Sequence, residues 1–231
     1  MTIKTVVITG TSRGIGRTLA KHFVSLGWNV VATARDASTI ADLNGAKTFA
    51  LDVASEASIA AFAKKLGPQT PVHLLVNNAG VFVAGSLGDL TLDVLAKQFT
   101  TNAFGPILTA QALLPNLRLA TSRDSPAFVV NVSSVMGSIA GNDGGKYYGY
   151  RGSKAALNAL SKSLSIDLKP ENIGVLLFHP GYVKTDMAPA GTISQDESVA
   201  GMTKTIDLAL KDASLGYSGE FYSFDGRKIA W

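Results

Sequence analysis

The chain has 231 residues, enough for one domain with a sizeable core and too few for two comfortable ones. At 46% hydrophobic and 16% charged it is no disordered chain, and no apolar run approaches the roughly 18 residues of a membrane-spanning helix. Its 21 basic and 17 acidic residues are scattered with no basic stripe, which argues against nucleic acid as a partner, and the absence of cysteine excludes disulfides, thiol nucleophiles and zinc-thiolate sites and fits a reducing, cytoplasmic setting.

In chain order, short β-branched runs alternate with longer alanine- and leucine-rich stretches. The pattern predicts strands over 5–9, 29–34, 48–51, 72–77, 127–133, 174–179 and 220–224. It predicts helices near 15–26, 55–66, 92–116, 150–168 and 196–210. The first apolar run, residues 5–9, is too short for a secretory signal and leads straight into glycines, so no signal peptide is expected. Most strands are continuous apolar runs, as parallel strands covered on both faces must be. Strand, helix, strand in repetition gives a doubly wound α/β sheet, and in such a sheet function sits at the carboxyl ends of the strands.

The first strand runs into Thr9-Gly10-Thr11-Ser12-Arg13-Gly14-Ile15-Gly16 and then a helix. Gly10 allows a tight turn, Gly14 lets backbone approach a pyrophosphate, and Gly16 lets the helix pack close to the sheet. The free N–H groups of the helix start would meet the phosphates. Further polar residues follow the next strands: Asp52 and Val53 after the third, Asn77-Asn78-Ala79-Gly80 after the fourth, Ser133 and Ser134 after the fifth. Several strand ends on one rim argue for a site there rather than for separate turn caps.

Tyr150 and Lys154 stand four apart on a predicted helix, which puts phenol and ammonium on one face. A neighbouring cation favours the phenolate and would lower the phenol pKa toward neutrality, making it a proton donor and acceptor. Tyr147 and Tyr148 are competitors, but four residues on they meet Arg151 and Gly152. A helix start near Tyr150, after the glycine-rich 141–149, favours Tyr150. His22, His73 and His179 have no metal-ligand spacing, so no metal site is expected.

Together, Thr9–Gly16, Asn77–Gly80, Ser134, Tyr150 with Lys154 and Pro180-Gly181-Tyr182-Val183-Lys184-Thr185 resemble, in order and over nearly the whole chain, the short-chain dehydrogenase/reductase family. The short length and the stretch 218–226 look most like its C-factor and carbonyl-reductase-like branch. The resemblance implies a Rossmann-type, doubly wound parallel sheet of about seven strands with helices on both faces. It implies one dinucleotide-binding and catalytic domain over 1–231, with a substrate loop at about 186–200. Tyr150 would be the general acid/base, and Lys154 would bind the nicotinamide ribose while lowering the tyrosine pKa. Ser134 would hydrogen-bond the substrate oxygen and Asn102 would hold a proton-relay water. Asn78, Ala79 and Gly80 would support the cofactor, Asp52 and Val53 would contact adenine, and Pro180, Gly181, Val183 and Thr185 would fix the carboxamide. Tyr150 lies sixteen positions after Ser134, a little more than the family usually has, and the extra length in 140–145 predicts a loop at the pocket mouth.

Cofactor choice turns on the end of the second strand. Asp36, 20 residues after Gly16, lies where the dinucleotide fingerprint expects an acid for the ribose of NAD. In the resembling family the NAD-selecting acid matches Ala34, and Arg35 fills the place that grips the 2′-phosphate of NADP, with Arg13 as a second basic partner. The expected function is NADP(H)-dependent reduction of a small or medium aldehyde or ketone, with walls from Val135, Met136, Tyr147, Tyr182 and 187–193. The alternative is a cofactor-binding regulatory or signalling protein of the same fold with little turnover. Apolar residues on more than one face of 92–116 and of 150–168 predict a homodimer or homotetramer.

Overall fold

The computed structural model describes residues 3–122 and 125–231. Seven strands form one sheet: β1 (Thr5–Ile8), β2 (Asn29–Ala34), β3 (Ala46–Ala50), β4 (Leu74–Asn77), β5 (Ala127–Val132), β6 (Ile173–His179) and β7 (Glu220–Ser223). Their order is β3-β2-β1-β4-β5-β6-β7 and every pairing is parallel. The fold class is therefore as the sequence predicts, a Rossmann-like doubly wound sheet.

Period-two alternation along each strand divides the core into two layers. Val6, Ile8, Val30, Leu74, Val76, Phe128 and Phe178 pack on one face under α1 (Gly14–Ser25) and α7 (Gln195–Lys211). Val7, Val31, Leu75, Val129 and Val175 pack on the other under α2 (Glu56–Leu66), α4 (Gly105–Ala112) and α5 (Leu114–Ala120). α3 (Leu92–Phe99) lies beside α6 (Tyr148–Leu168). The chain crosses from one side of β1 to the other between β3 and β4, so the switch point lies between the carboxyl ends of β1 and β4.

Two predicted elements differ. The single helix expected over 92–116 is broken: a π-turn at Thr100–Phe104 separates α3 from α4, and α5 follows after Leu113. Pro106 has no N–H to return to the Asn102 carbonyl four residues back, so an uninterrupted α-helix cannot form there. The helix carrying Tyr150 starts at Tyr148, two residues earlier than expected, after Tyr147 in the left-handed region. Strand edges also move by one or two residues: β3 starts at Ala46, β4 at Leu74 and β6 at Ile173. The 186–200 segment is irregular only as far as Ser194, whose side chain caps α7 by accepting the Glu197 N–H.

Candidate active site

At the switch point the β1–α1 loop and the β4 loop are sewn together. Asn78 Nδ2 donates to the carbonyls of Thr9 and Gly10 at 3.0 and 3.1 Å. The Thr9 hydroxyl accepts the N–H groups of Asn78 and Ala79, each at 3.0 Å. Gly10 has φ +72 and a Cβ there would lie 2.8 Å from Ala79 Cα, while a Cβ on Gly16 would lie 2.3 Å from the Gly10 carbonyl oxygen. Only glycine fits this approach. The first turn of α1 holds no acidic residue and its N-cap, Arg13, makes no side-chain cap, which leaves its N–H groups facing outward. The Ile15 side chain packs on the core, so only its backbone faces the rim.

Further along the rim, Ser134 follows β5 and its hydroxyl accepts the Met136 N–H at 3.1 Å. Ser133 is tied to α6 by donating to Asn158 at 2.6 Å, and Asn158 donates to the Gly137 carbonyl at 3.2 Å, so the turn bearing Ser134 is clamped at both ends. Lys154 is buried with Nζ donating to the Val132 carbonyl at 2.8 Å. It stands 5.8 Å from the centre of the Tyr150 ring. Asn102 sits in the π-turn with its side chain spent: Oδ1 accepts the Val81 N–H at 2.8 Å, and Nδ2 donates to the Val81 carbonyl at 2.8 Å and to Ser153 Oγ at 3.0 Å. After β6, Gly181 has φ +88, and Thr185 lies over Gly14, where an added Cβ would meet the threonine methyl at 3.5 Å. The Val183 segment folds back on Ile193, with Lys184 N–H donating to the Ile193 carbonyl at 2.9 Å.

A family profile described as short chain dehydrogenase matches residues 4–196. The chain belongs to the short-chain dehydrogenase family. It is 42% identical over 163 residues to the C-signal protein of Myxococcus xanthus, covering 70% of this chain and 93% of that one. Its fold matches an NADPH-bound carbonyl reductase from chicken fatty liver with a TM-score of 0.89 and 33% identity over 100% of both chains. The carbonyl reductase Sniffer of D. melanogaster matches with a TM-score of 0.90 and 29% identity, again over 100% of both chains.

Within this dehydrogenase scaffold the exposed Asp36 carboxylate accepts the Ser38 N–H at 2.9 Å and caps a short 3₁₀ turn. Arg35 is exposed at the end of β2 and has no ion pair among the described residues, whereas Arg13 pairs with Asp186 at 3.4 Å. One sequence expectation changes: burial pushes the Tyr150 phenol up from its ordinary pKa, opposed by a hydrogen bond with Ser134, and Lys154 does not lower it. Burial instead pulls Lys154 itself down to about 8.

The Asp52 carboxylate accepts the Ala54 N–H at 3.0 Å and Val53 is buried against the π-turn, where a Cβ on Gly105 would meet its carbonyl at 2.5 Å. Of the expected walls, Val135, Tyr147, Tyr182 and Met187 are exposed near the mouth. The loop at 140–145 is exposed as predicted and ends in three successive left-handed residues, Gly145, Lys146 and Tyr147. Two residues were not legible in the sequence: Phe82, whose ring meets Tyr150 at 5.0 Å, and Gln98, buried and accepting the Val83 N–H at 3.0 Å. The position of Phe82, two residues past Gly80, is the signal that could have found it. Among the described residues no group of three His, Cys, Asp or Glu is placed to hold a metal ion, and no helix is long and apolar enough to cross a membrane.

Proposed function

We propose that this protein is an NADP(H)-dependent oxidoreductase that interconverts an aldehyde or ketone and its alcohol, with Tyr150 as general acid/base. The observation that carries the reading is the convergence of Tyr150, Ser134 and the buried Lys154 on one rim with the glycine loop. A buried ammonium with one carbonyl partner is a poor device for stability alone, which favours a functional role. The bound nicotinamide supplies the hydride. Tyr150 gives its proton to the carbonyl oxygen as charge develops there, and Ser134 donates a second hydrogen bond to that oxygen. Lys154 holds the ribose. Because the Asn102 side chain is spent on Val81 and Ser153, its part in restoring the proton falls to its backbone carbonyl, which Pro106 leaves without an α-helical donor.

Gly10, Ser12, Arg13, Gly14, Ile15 and Gly16 would hold the phosphates, Arg35 the 2′-phosphate, and Asp52 with Val53 the adenine. Asn78, Ala79 and Gly80 would back the cofactor, and Pro180, Gly181, Val183 and Thr185 would hold the carboxamide. The capping role of Asp36 and the NADPH-bound relative support NADP(H) over NAD(H). We read residues 1–231 as one catalytic domain in a cytoplasmic setting, with the loop ahead of α7 facing the substrate. It assembles as a homodimer or homotetramer through the outer faces of the α3 and α6 region, where Leu92, Phe104 and Ile166 remain 80%, 48% and 63% exposed.

A second reading, a regulatory or signalling protein with little turnover, is favoured by the relative named C-signal. A panel of aldehydes and diketones with NADPH, followed by loss of nicotinamide absorbance, separates the two. Turnover of any member supports the reductase; saturable NADPH binding without turnover of any supports the signalling protein.

A further inference from the structure

The segment that follows Gly80 is held unusually firmly for a loop. Asn102 takes both the N–H and the carbonyl of Val81, and buried Gln98 takes the N–H of Val83. Phe82, between them, is clamped on both sides. Its ring meets Tyr150 edge-on, with centroids 5.0 Å apart and planes at 79°, and meets Tyr147 at 5.6 Å and 48°. Tyr147 is fixed in turn, its N–H donating to the Gly85 carbonyl at 3.0 Å from a left-handed backbone at φ 53. Two rings on constrained backbone therefore stand beside the phenol.

We propose that Phe82 is a specificity-determining residue that selects carbonyl compounds bearing a flat aryl group. The proposal rests on the reading of Tyr150 as proton donor to a carbonyl. A planar π system gains edge-to-face or offset contacts with Phe82 and Tyr147 that a saturated substituent of equal size does not. A wall whose backbone is already ordered loses little freedom on binding, so the contact energy appears in affinity.

The test compares 1-phenyl-1,2-propanedione with 2,3-butanedione, which share the reacting dione and differ in phenyl for methyl. Wild type should favour the phenyl compound by about tenfold or more in kcat/KM, chiefly through KM. Phe82→Leu, which keeps apolar volume but no ring, should cut that ratio several-fold, and Phe82→Tyr should preserve it. A wild-type ratio near one overturns the proposal without any variant, and so does a Phe82→Leu ratio equal to wild type or a Phe82→Tyr ratio as low as that of Phe82→Leu. Wild type that reduces both diones with no preference sinks only the aryl wall. Wild type that binds NADPH and reduces no carbonyl compound of the wider panel sinks the reductase reading and this one with it.

Discussion

The half of the rim proposed to hold the nucleotide and the half proposed to face the substrate are held by different kinds of contact. On the first, backbone lies against backbone: Asn78 bonds the carbonyls of Thr9 and Gly10, and no side chain fits at Gly10 or Gly16. On the second, exposed loops carry the proposed walls, and the 140–147 stretch ends in left-handed backbone at Lys146 and Tyr147. A group that never changes can be met by fixed N–H groups, whereas a variable one is met by side chains on loops whose length and sequence are free to drift. Between the halves stand Tyr150 and Lys154 on α6 and Ser134 just after β5.

Substitutions can break this contrast. The largest effect is expected at its centre. Tyr150→Phe should lower turnover roughly 10²–10⁴-fold while NADPH affinity, measured by fluorescence titration, stays close to wild type. Tyr147→Phe should keep most activity, and loss there instead would move the proton donor to the residue before α6. Next, Gly16→Ala places a methyl 2.3 Å from the Gly10 carbonyl, so the nucleotide half must deform. NADPH affinity should drop about tenfold or more, with a cost of ~1–3 kcal/mol in stability.

The Ala34→Asp, Arg35→Ile double variant should move cofactor preference toward NADH by about tenfold or more, the worth of a charge-assisted contact to the 2′-phosphate. Wild type equally efficient with NADH would mean that Arg35 does not read that phosphate. A pH effect should follow from Lys154. Its folded value is about 8, below that of an unfolded lysine, so the folded protein sheds this proton first. Stability from this group therefore rises with pH between about 8 and 10.4, and Lys154→Met should lose that part of the slope in thermal melts. Reduction by wild type should decline above about pH 8 as the ribose partner loses its charge, while Tyr150, pushed up by burial, keeps its proton. The smallest effect lies in the loop: Lys146→Gly, at φ 56, should relieve backbone strain and raise stability by up to ~1 kcal/mol, about 2–4 °C in Tm.

Much of the nucleotide half is legible in the sequence because its determinants are local. A glycine with positive φ, a strand that is apolar throughout and a helix starting without a cap each announce themselves within a few residues, and Gly10, Gly16 and the β1–α1 turn are where the spacing puts them. The seven strands, as continuous apolar runs alternating with helices, follow from the same short-range pattern, whereas their order in the sheet is a tertiary outcome. The i, i+4 relation of Tyr150 and Lys154 is likewise fixed by helical geometry and holds although the helix starts at Tyr148.

What only tertiary structure decides is where a polar group spends its bonds and how deeply it is buried. Asp36 stands at the spacing of a ribose ligand and caps the Ser38 N–H; Asn102 is spent on Val81 and Ser153. The sequence places a cation beside the phenol, but burial raises the phenol pKa and lowers that of Lys154. Phe82 reaches Tyr150 across 68 residues of chain, a contact made only after β4 and α6 are assembled. Local geometry is written in neighbouring residues, whereas desolvation and long-range contact exist only once the chain has closed on itself.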